Sequence, residues 1–61
     1  MSRLKEERLK QGLEAEELAK KANVSVRYIY FLESGDRIPS LKVAKKIAKI
    51  LEKPIEEIFL P

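Results

Sequence analysis

The chain has 61 residues, no cysteine, no histidine and a formal net charge of +3. A chain of this length has room for one small core, so we expect a single domain over residues 1–61 with no separate effector or dimerisation domain and no small-molecule site. The missing residue types exclude disulfides, thiolate metal sites and histidine general bases, so we expect neither an enzyme nor a cofactor.

The composition also bears on the fold class and the compartment. The low content of glycine, proline and β-branched residues favours helices over sheet, so we predict an all-α fold. No apolar run approaches the roughly 20 residues of a membrane span, and no signal-peptide pattern is present, so we predict a cytoplasmic protein. The modest positive charge permits a polyanionic partner.

The first predicted helix runs from about Arg3 to Gln11, with Ser2 as its N-terminal cap and Gly12 as its stop. Leu4 and Leu9 are predicted to point to the core. The second predicted helix, from Ala15 to Ala22, turns Leu18, Ala19 and Ala22 inward, and small Ala19 allows another helix to cross closely. Residues 3–22 therefore predict two short helices, each with a compact apolar side.

Arg8 lies one turn beyond Leu4 and is predicted to face inward, where its charge needs a partner. Glu33, on the inward flank of the third predicted helix, is the best-placed acid. We predict a partly buried, charge-assisted pair between Arg8 and Glu33. The alternative is that both side chains are solvated.

Asn23 stands where the chain must turn sharply, and asparagine tolerates the left-handed conformation that such a turn needs. Ser25 then caps a third helix over Val26–Ser34, and Gly35 stops it. Two helices joined by a tight turn, with apolar residues at Leu18, Val24, Ile29 and Leu32, follow the pattern of a helix-turn-helix.

The third predicted helix has an unusual outward side. At about 100° per residue, Ile29 and Leu32 face inward, with Tyr28 and Glu33 at their flanks. A water-facing side would normally be charged, whereas this side carries two aromatic residues, a valine and a single arginine. Such a composition suggests a contact surface. Our main hypothesis is that it enters the DNA major groove; the alternative is a helix buried on both sides. The residues of the outward side are Val26, Arg27, Tyr30, Phe31 and Ser34.

After a loop over Gly35–Pro39, Ser40 caps a long helix from about Leu41 to Glu52. Pro54 precedes a final helix from Ile55 to about Leu60, whose apolar residues close the core and leave some surface for a dimer contact. The inward stripe of the long helix is Leu41, Ala44, Ile47, Ala48 and Leu51. Its lysine stripe, Lys42, Lys46, Lys49 and Lys53, is interpreted as a solvated face rather than a series of phosphate contacts, with Lys42 as the one candidate contact.

A characteristic set of residues runs along the chain: Gly12-Leu13, Glu16-Glu17-Leu18-Ala19, Val24-Ser25, Ile29, Glu33-Ser34-Gly35, Arg37 and Pro39-Ser40. With this set the chain resembles the phage-repressor/Cro-like (Xre-type) helix-turn-helix family, from about Leu4 to Phe59. The resemblance implies a compact, lambda-repressor-like fold of five helices and supports the Arg8–Glu33 pair. It also implies a transcriptional repressor, located with bacterial, phage or archaeal DNA, that binds double-stranded DNA as a homodimer on a palindromic operator. The last helix and the Gly35–Pro39 loop would form the dimer contact.

The resemblance also implies contacts at particular residues. The chain departs from the family pattern at three positions. Glutamine often stands where this chain has Ala15, a hydroxyl residue often caps the helix where it has Glu14, and glycine is usual where it has Asn23. The departures affect affinity more than fold, and they leave open a protein–protein interaction module with weak or no DNA binding. The base contacts implied are Val26, Arg27, Tyr30 and Phe31; the phosphate contacts are Ala15, Ser25, Tyr28, Arg37, Ser40 and Lys42.

Overall fold

The computed structural model describes residues 2–59, and in that range the chain forms five α-helices. The all-α fold is confirmed, and the predicted ends of α1 and α4 are each within one residue of those observed. The predicted end of the last helix, Leu60, lies outside the described residues. None of these helices has the length and apolar character needed to cross a membrane. The helices are α1 (Leu4–Lys10), α2 (Ala15–Ala22), α3 (Val26–Ser34), α4 (Leu41–Leu51) and α5 (Ile55–Phe59).

The three serines predicted to cap helices each accept a hydrogen bond from a backbone N–H in the first turn of the helix. Such bonds satisfy donors that have no partner within the helix. Ser25 and Ser40 are the N-caps of α3 and α4, whereas the N-cap of α1 is Arg3, so the prediction of Ser2 as that cap was one residue too early. The donor residues and distances are Leu4 to Ser2 at 3.1 Å, Tyr28 to Ser25 at 3.1 Å and Val43 to Ser40 at 3.2 Å.

Residues with positive φ follow the ends of the first four helices. Gly12 (φ 66°) and Gly35 (φ 86°) act as the predicted stops, and Asn23 (φ 60°) has the predicted left-handed conformation. Glu52 (φ 56°) ends α4 in the same way. The sequence gives no sign of this last turn, because glutamate has no special tolerance for left-handed backbone.

Large aliphatic side chains from all five helices meet in one core. Ala19 and Ala22, 4% and 0% exposed, lie among them, as predicted for a helix that others approach closely. α2 packs against α3 and α4, and α5 packs against α4 and α1. The most deeply buried members are Leu4, Leu18, Ile29, Leu32, Ile47, Leu51 and Ile58.

Two leucines predicted to be buried are exposed. Leu9 is 58% exposed, because it lies about 140° around α1 from Leu4 and the inward side is filled by Glu7 and Arg8 instead. Leu41, at 65% exposed, is the first residue of α4 and precedes the part of that helix that enters the core at Ala44. The core predictions for Leu9 and Leu41 were therefore wrong.

The predicted Arg8–Glu33 pair is confirmed. Arg8 Nε donates to Glu33 Oε2 at 2.7 Å and Nη2 lies 3.4 Å from Oε1, with each side chain 7% exposed. Arg8 Nη1 also donates to the Leu13 carbonyl oxygen at 2.9 Å. One guanidinium therefore joins α1 to α3 and to the segment before α2, which holds α3 in its orientation.

The hydrogen bond to Glu33 raises the pKa of Arg8 above its ordinary value, although burial acts in the opposite direction. A raised pKa means that the stabilisation is complete below the ordinary arginine pKa and is lost only as the pH rises through the raised value. The charge on Arg8 is therefore constant across the physiological range.

Candidate nucleic-acid interface

The segment between α2 and α3 has the geometry of a helix-turn-helix. Asn23 takes the left-handed conformation, and the backbone N–H of Val24 donates to the Ala19 carbonyl oxygen at 3.0 Å. Val24 is half-buried and packs against the core, and Ser25 starts the next helix. The turn therefore joins α2 to α3 within three residues and leaves the two helices packed against each other.

α3 has one buried side and one accessible side. Ile29 and Leu32 are 0% and 1% exposed, whereas Arg27 is exposed and Tyr30 is 49% exposed. Phe31 is half-buried. The alternative of a helix buried on both sides is therefore wrong, and a cation with two aromatic rings is available for contact.

Val26 lies at the margin of the accessible side. It is half-buried and packs against the core, so less of it is available than the helical pattern predicted. Tyr28 is also half-buried and packs against the core. Val26 and Tyr28, in the first turn of α3, therefore contribute to the core and leave only part of their surface accessible.

Phe31 is connected to the loop after α3 in two ways. The backbone N–H of Arg37 donates to the Phe31 carbonyl oxygen at 3.2 Å, and the Arg37 guanidinium carbon lies 5.6 Å from the centre of the Phe31 ring. This distance allows a cation–π interaction. The structure therefore brings together a residue predicted to contact bases and a residue predicted to contact phosphate.

Tyr30 borders a shallow groove between α1 and α3 that it shares with Lys5, Glu33 and Ser34. Lys5 is exposed, so it adds a cation beside the accessible side of α3. Lys5 was not among the predicted contact residues. Its position three residues before inward-facing Arg8 was the available signal, because residues so spaced lie on neighbouring parts of one helix face.

The start of α2 differs from the prediction. Ala15 is 2% exposed and belongs to the core, so it offers almost no surface to a phosphate. The helix is capped by a pair of carboxylates: the Glu17 side chain accepts from the Glu14 N–H at 3.0 Å, and the Glu14 side chain accepts from the Glu17 N–H. We therefore remove Ala15 from the proposed phosphate contacts. Among the remaining predicted phosphate contacts, Tyr28 is half-buried. The exposed ones are Ser25, Arg37, Ser40 and Lys42.

A second accessible surface lies between the Gly35–Pro39 loop, α4 and α5. It is a groove of about 420 Å³ with a largely apolar lining. Ile38 is 88% exposed and Leu41 65% exposed at its edge, while Ile55 and Phe59 are half-buried. This groove, called the loop–α5 groove below, contains the segments predicted to form the dimer contact.

These features define a helix-turn-helix domain formed by α2 and α3, in which one side of α3 is accessible. The chain belongs to the helix-turn-helix family of transcriptional regulators: residues 4–58 match the family model, which confirms the Xre-type resemblance. Members of this family are regulators and not enzymes.

Relatives with similar sequences occur in archaea. Two proteins of Archaeoglobus fulgidus, each named as an uncharacterised HTH-type transcriptional regulator, are 46% and 48% identical over 59 residues. The matches cover 97% of this chain and 84% and 83% of those proteins. A regulator of the same description from Methanocaldococcus jannaschii is 46% identical over 59 residues, covering 97% of this chain and 89% of the relative.

Proposed function

We propose that this chain is a sequence-specific, double-stranded-DNA-binding transcriptional regulator that places α3 in the major groove. The observation that carries the proposal is the accessible side of α3, where Arg27, Tyr30 and Phe31 project from a helix whose other side is locked into the core. Membership in a family of transcriptional regulators supports it.

The dimensions of α3 suit the groove. Its nine residues span roughly 13 Å, and the major groove of B-DNA is about 12 Å wide. Arg27 is the candidate for a bidentate contact to guanine, because a guanidinium matches the two acceptors that guanine presents in the major groove. Tyr30 and Phe31 flank it, and Val26 adds contact at the margin.

Phosphates are held around α3 by groups that remain free. Ser25 and Ser40 use a hydroxyl oxygen to cap a helix, so each hydroxyl proton can be donated to a phosphate. The first backbone N–H groups of α3 and α4 lack partners within their helices and carry the positive end of the helix dipole. Arg37 and Lys42 supply charge, and the Tyr28 hydroxyl is a further donor.

We further propose that the regulator is a homodimer acting as a repressor on a two-fold-symmetric operator. The exposed Ile38 and Leu41 beside an apolar groove suit a self-complementary contact, since each copy offers both a projection and a cavity. Two copies related in this way would place their α3 helices on half-sites about one helical turn apart.

Two observations favour a different function, a protein–protein interaction module. The start of α2 carries exposed carboxylates at Glu14, Glu16 and Glu17 where a phosphate contact was predicted, and the face of α3 is rich in apolar surface. Negative charge close to DNA weakens binding, whereas an apolar protein interface would tolerate it.

Salt titration of binding to mixed-sequence duplex DNA separates the two functions. If about three to five phosphates are contacted per half-site, the logarithm of the affinity should fall with the logarithm of salt concentration with a slope of about −2.7 to −4.5 per protomer. A slope near zero, or no binding at about 50 mM salt, would exclude DNA binding as the function and favour the interaction module.

A matched pair of variants gives this titration an internal control. Arg37→Ala should reduce the magnitude of the slope by about one, because one phosphate contact is lost. Lys45→Ala removes the same charge from an exposed position of α4 that is outside the proposed contacts, and it should leave the slope unchanged.

A further inference from the structure

The accessible side of α3 offers very few groups that can form hydrogen bonds with bases. Arg27 projects between the directions of Tyr30 and Phe31, which lie one turn further along the helix. The neighbouring Ser34 hydroxyl donates to Asp36 Oδ2 at 2.9 Å, so its proton is already used. Apart from Arg27 and the phenol of Tyr30, this side therefore presents apolar surface to a ligand.

This limits which base edges the face can distinguish. Adenine is normally read by asparagine or glutamine and cytosine by aspartate or glutamate. Glu33, the one acid within α3, is held by Arg8. The apolar group that base edges present in the major groove is the 5-methyl group of thymine. In 5-methylcytosine the same methyl group occupies the same position of the ring.

We propose that this face recognises a pyrimidine 5-methyl group through Phe31, next to the guanine contacted by Arg27, and accepts 5-methylcytosine in place of thymine. The proposal rests on the DNA binding proposed above. The Phe31 ring is half-buried, and the Arg37 guanidinium carbon lies over it, 5.6 Å from its centre. The Arg37 backbone N–H donates to the Phe31 carbonyl oxygen, which fixes the loop relative to this residue, so the part of the ring that remains accessible is a defined contact surface.

The helical spacing predicts where the methyl group lies. Phe31 follows Arg27 by four residues, about one turn or 5.4 Å along the helix axis. Base pairs are stacked about 3.4 Å apart. The methylated pyrimidine should therefore be one or two base pairs from the guanine.

Base analogues test this without relying on the folding of a variant. In a duplex selected by the wild-type protein, each thymine of the half-site is replaced singly by deoxyuridine, which lacks only the methyl group. At the predicted position the dissociation constant should rise about three- to five-fold. Cytosine at that position should bind as weakly as deoxyuridine, and 5-methylcytosine should recover the loss.

Two protein variants identify the residue responsible. In Phe31→Ala, the difference between thymine and deoxyuridine should disappear. In Arg37→Ala, which keeps the ring and removes its cation, binding should weaken while the difference persists. Sensitivity to deoxyuridine that survives in Phe31→Ala would overturn the assignment to Phe31.

Different experimental outcomes would contradict methyl recognition and the proposed DNA-binding function. A protein that selects a duplex but is insensitive to deoxyuridine throughout the half-site would overturn only methyl recognition. A protein that selects no duplex and shows no salt-dependent binding would overturn the DNA-binding function, and methyl recognition with it.

Discussion

Replacing Glu33 with alanine is expected to lower the free energy of unfolding by about 3–5 kcal/mol. The Arg8 side chain is only 7% exposed, so it would stay buried with its charge uncompensated and with the Leu13 carbonyl oxygen as its remaining partner. A domain of this size rarely has more than about 3–5 kcal/mol of stability. The variant should therefore lose most of its helical circular dichroism at room temperature, and urea titration measures how much remains.

Two further variants decide whether the buried charge is the cause. Glu16→Ala removes an acid from an exposed position of α2 and should change stability by less than about 0.5 kcal/mol. The double variant Arg8→Met/Glu33→Leu removes both charges and should recover most of the stability lost in Glu33→Ala. A loss below about 1 kcal/mol in Glu33→Ala would contradict the role assigned to the pair.

The second large effect is expected at the loop–α5 groove. Ile38→Gln/Leu41→Gln should shift the protein to the monomer in analytical ultracentrifugation and weaken operator binding by about 100-fold or more, because two linked half-site contacts become two separate ones. Neutral side chains are used so that no charge is added near the proposed phosphate contacts. Both residues are more than half exposed, so the monomer should remain folded.

Leu9→Gln is the matched control for the dimer. Leu9 is 58% exposed and lies on α1, outside the loop–α5 groove, so the same change in polarity there should affect neither mass nor DNA affinity. The dimer proposal fails if the double variant keeps the sedimentation behaviour and the operator affinity of the wild type, or if the wild type stays monomeric even on its operator.

The fold was largely predictable because helix signals in this chain are local. The serine cap and the glycine stop of α3 stand where the sequence predicts them, and Gly12 stops α1 as predicted. The cap of α1 is Arg3, one residue after the predicted Ser2. The Arg8–Glu33 pair was also predictable, since an inward-facing charge requires a partner and Glu33 lies on the inward flank of α3.

What could not be predicted depends on packing between helices. Leu41 has the residue type and spacing of a core position, but the part of α4 that enters the core begins at Ala44. Leu9 has only the residue type, and the inward side of α1 is filled by Glu7 and Arg8 instead. Glu52 ends α4 with positive φ although its residue type does not favour it. Such outcomes are set by how the completed core fills, which a helical period does not specify.

The candidate interface likewise has features that the helical period predicted and features that depend on packing. The exposure of Arg27 and Tyr30 followed from the helical period, whereas the burial of Ala15 and the stacking of Arg37 on Phe31 required coordinates. The period places a side chain on a face, but it does not tell how close a loop or a neighbouring helix comes to that face.

The most direct test of base contact by α3 is selection of binding sites from random duplex DNA, followed by affinity measurements on every single-base variant of the selected site. The wild type should select a two-fold-symmetric site with a guanine in each half. Arg27→Ala should lose about 1–3 kcal/mol of discrimination at that guanine and keep its preferences elsewhere. Equal weakening on all sequences, or no selected site, would contradict an α3 that reads bases.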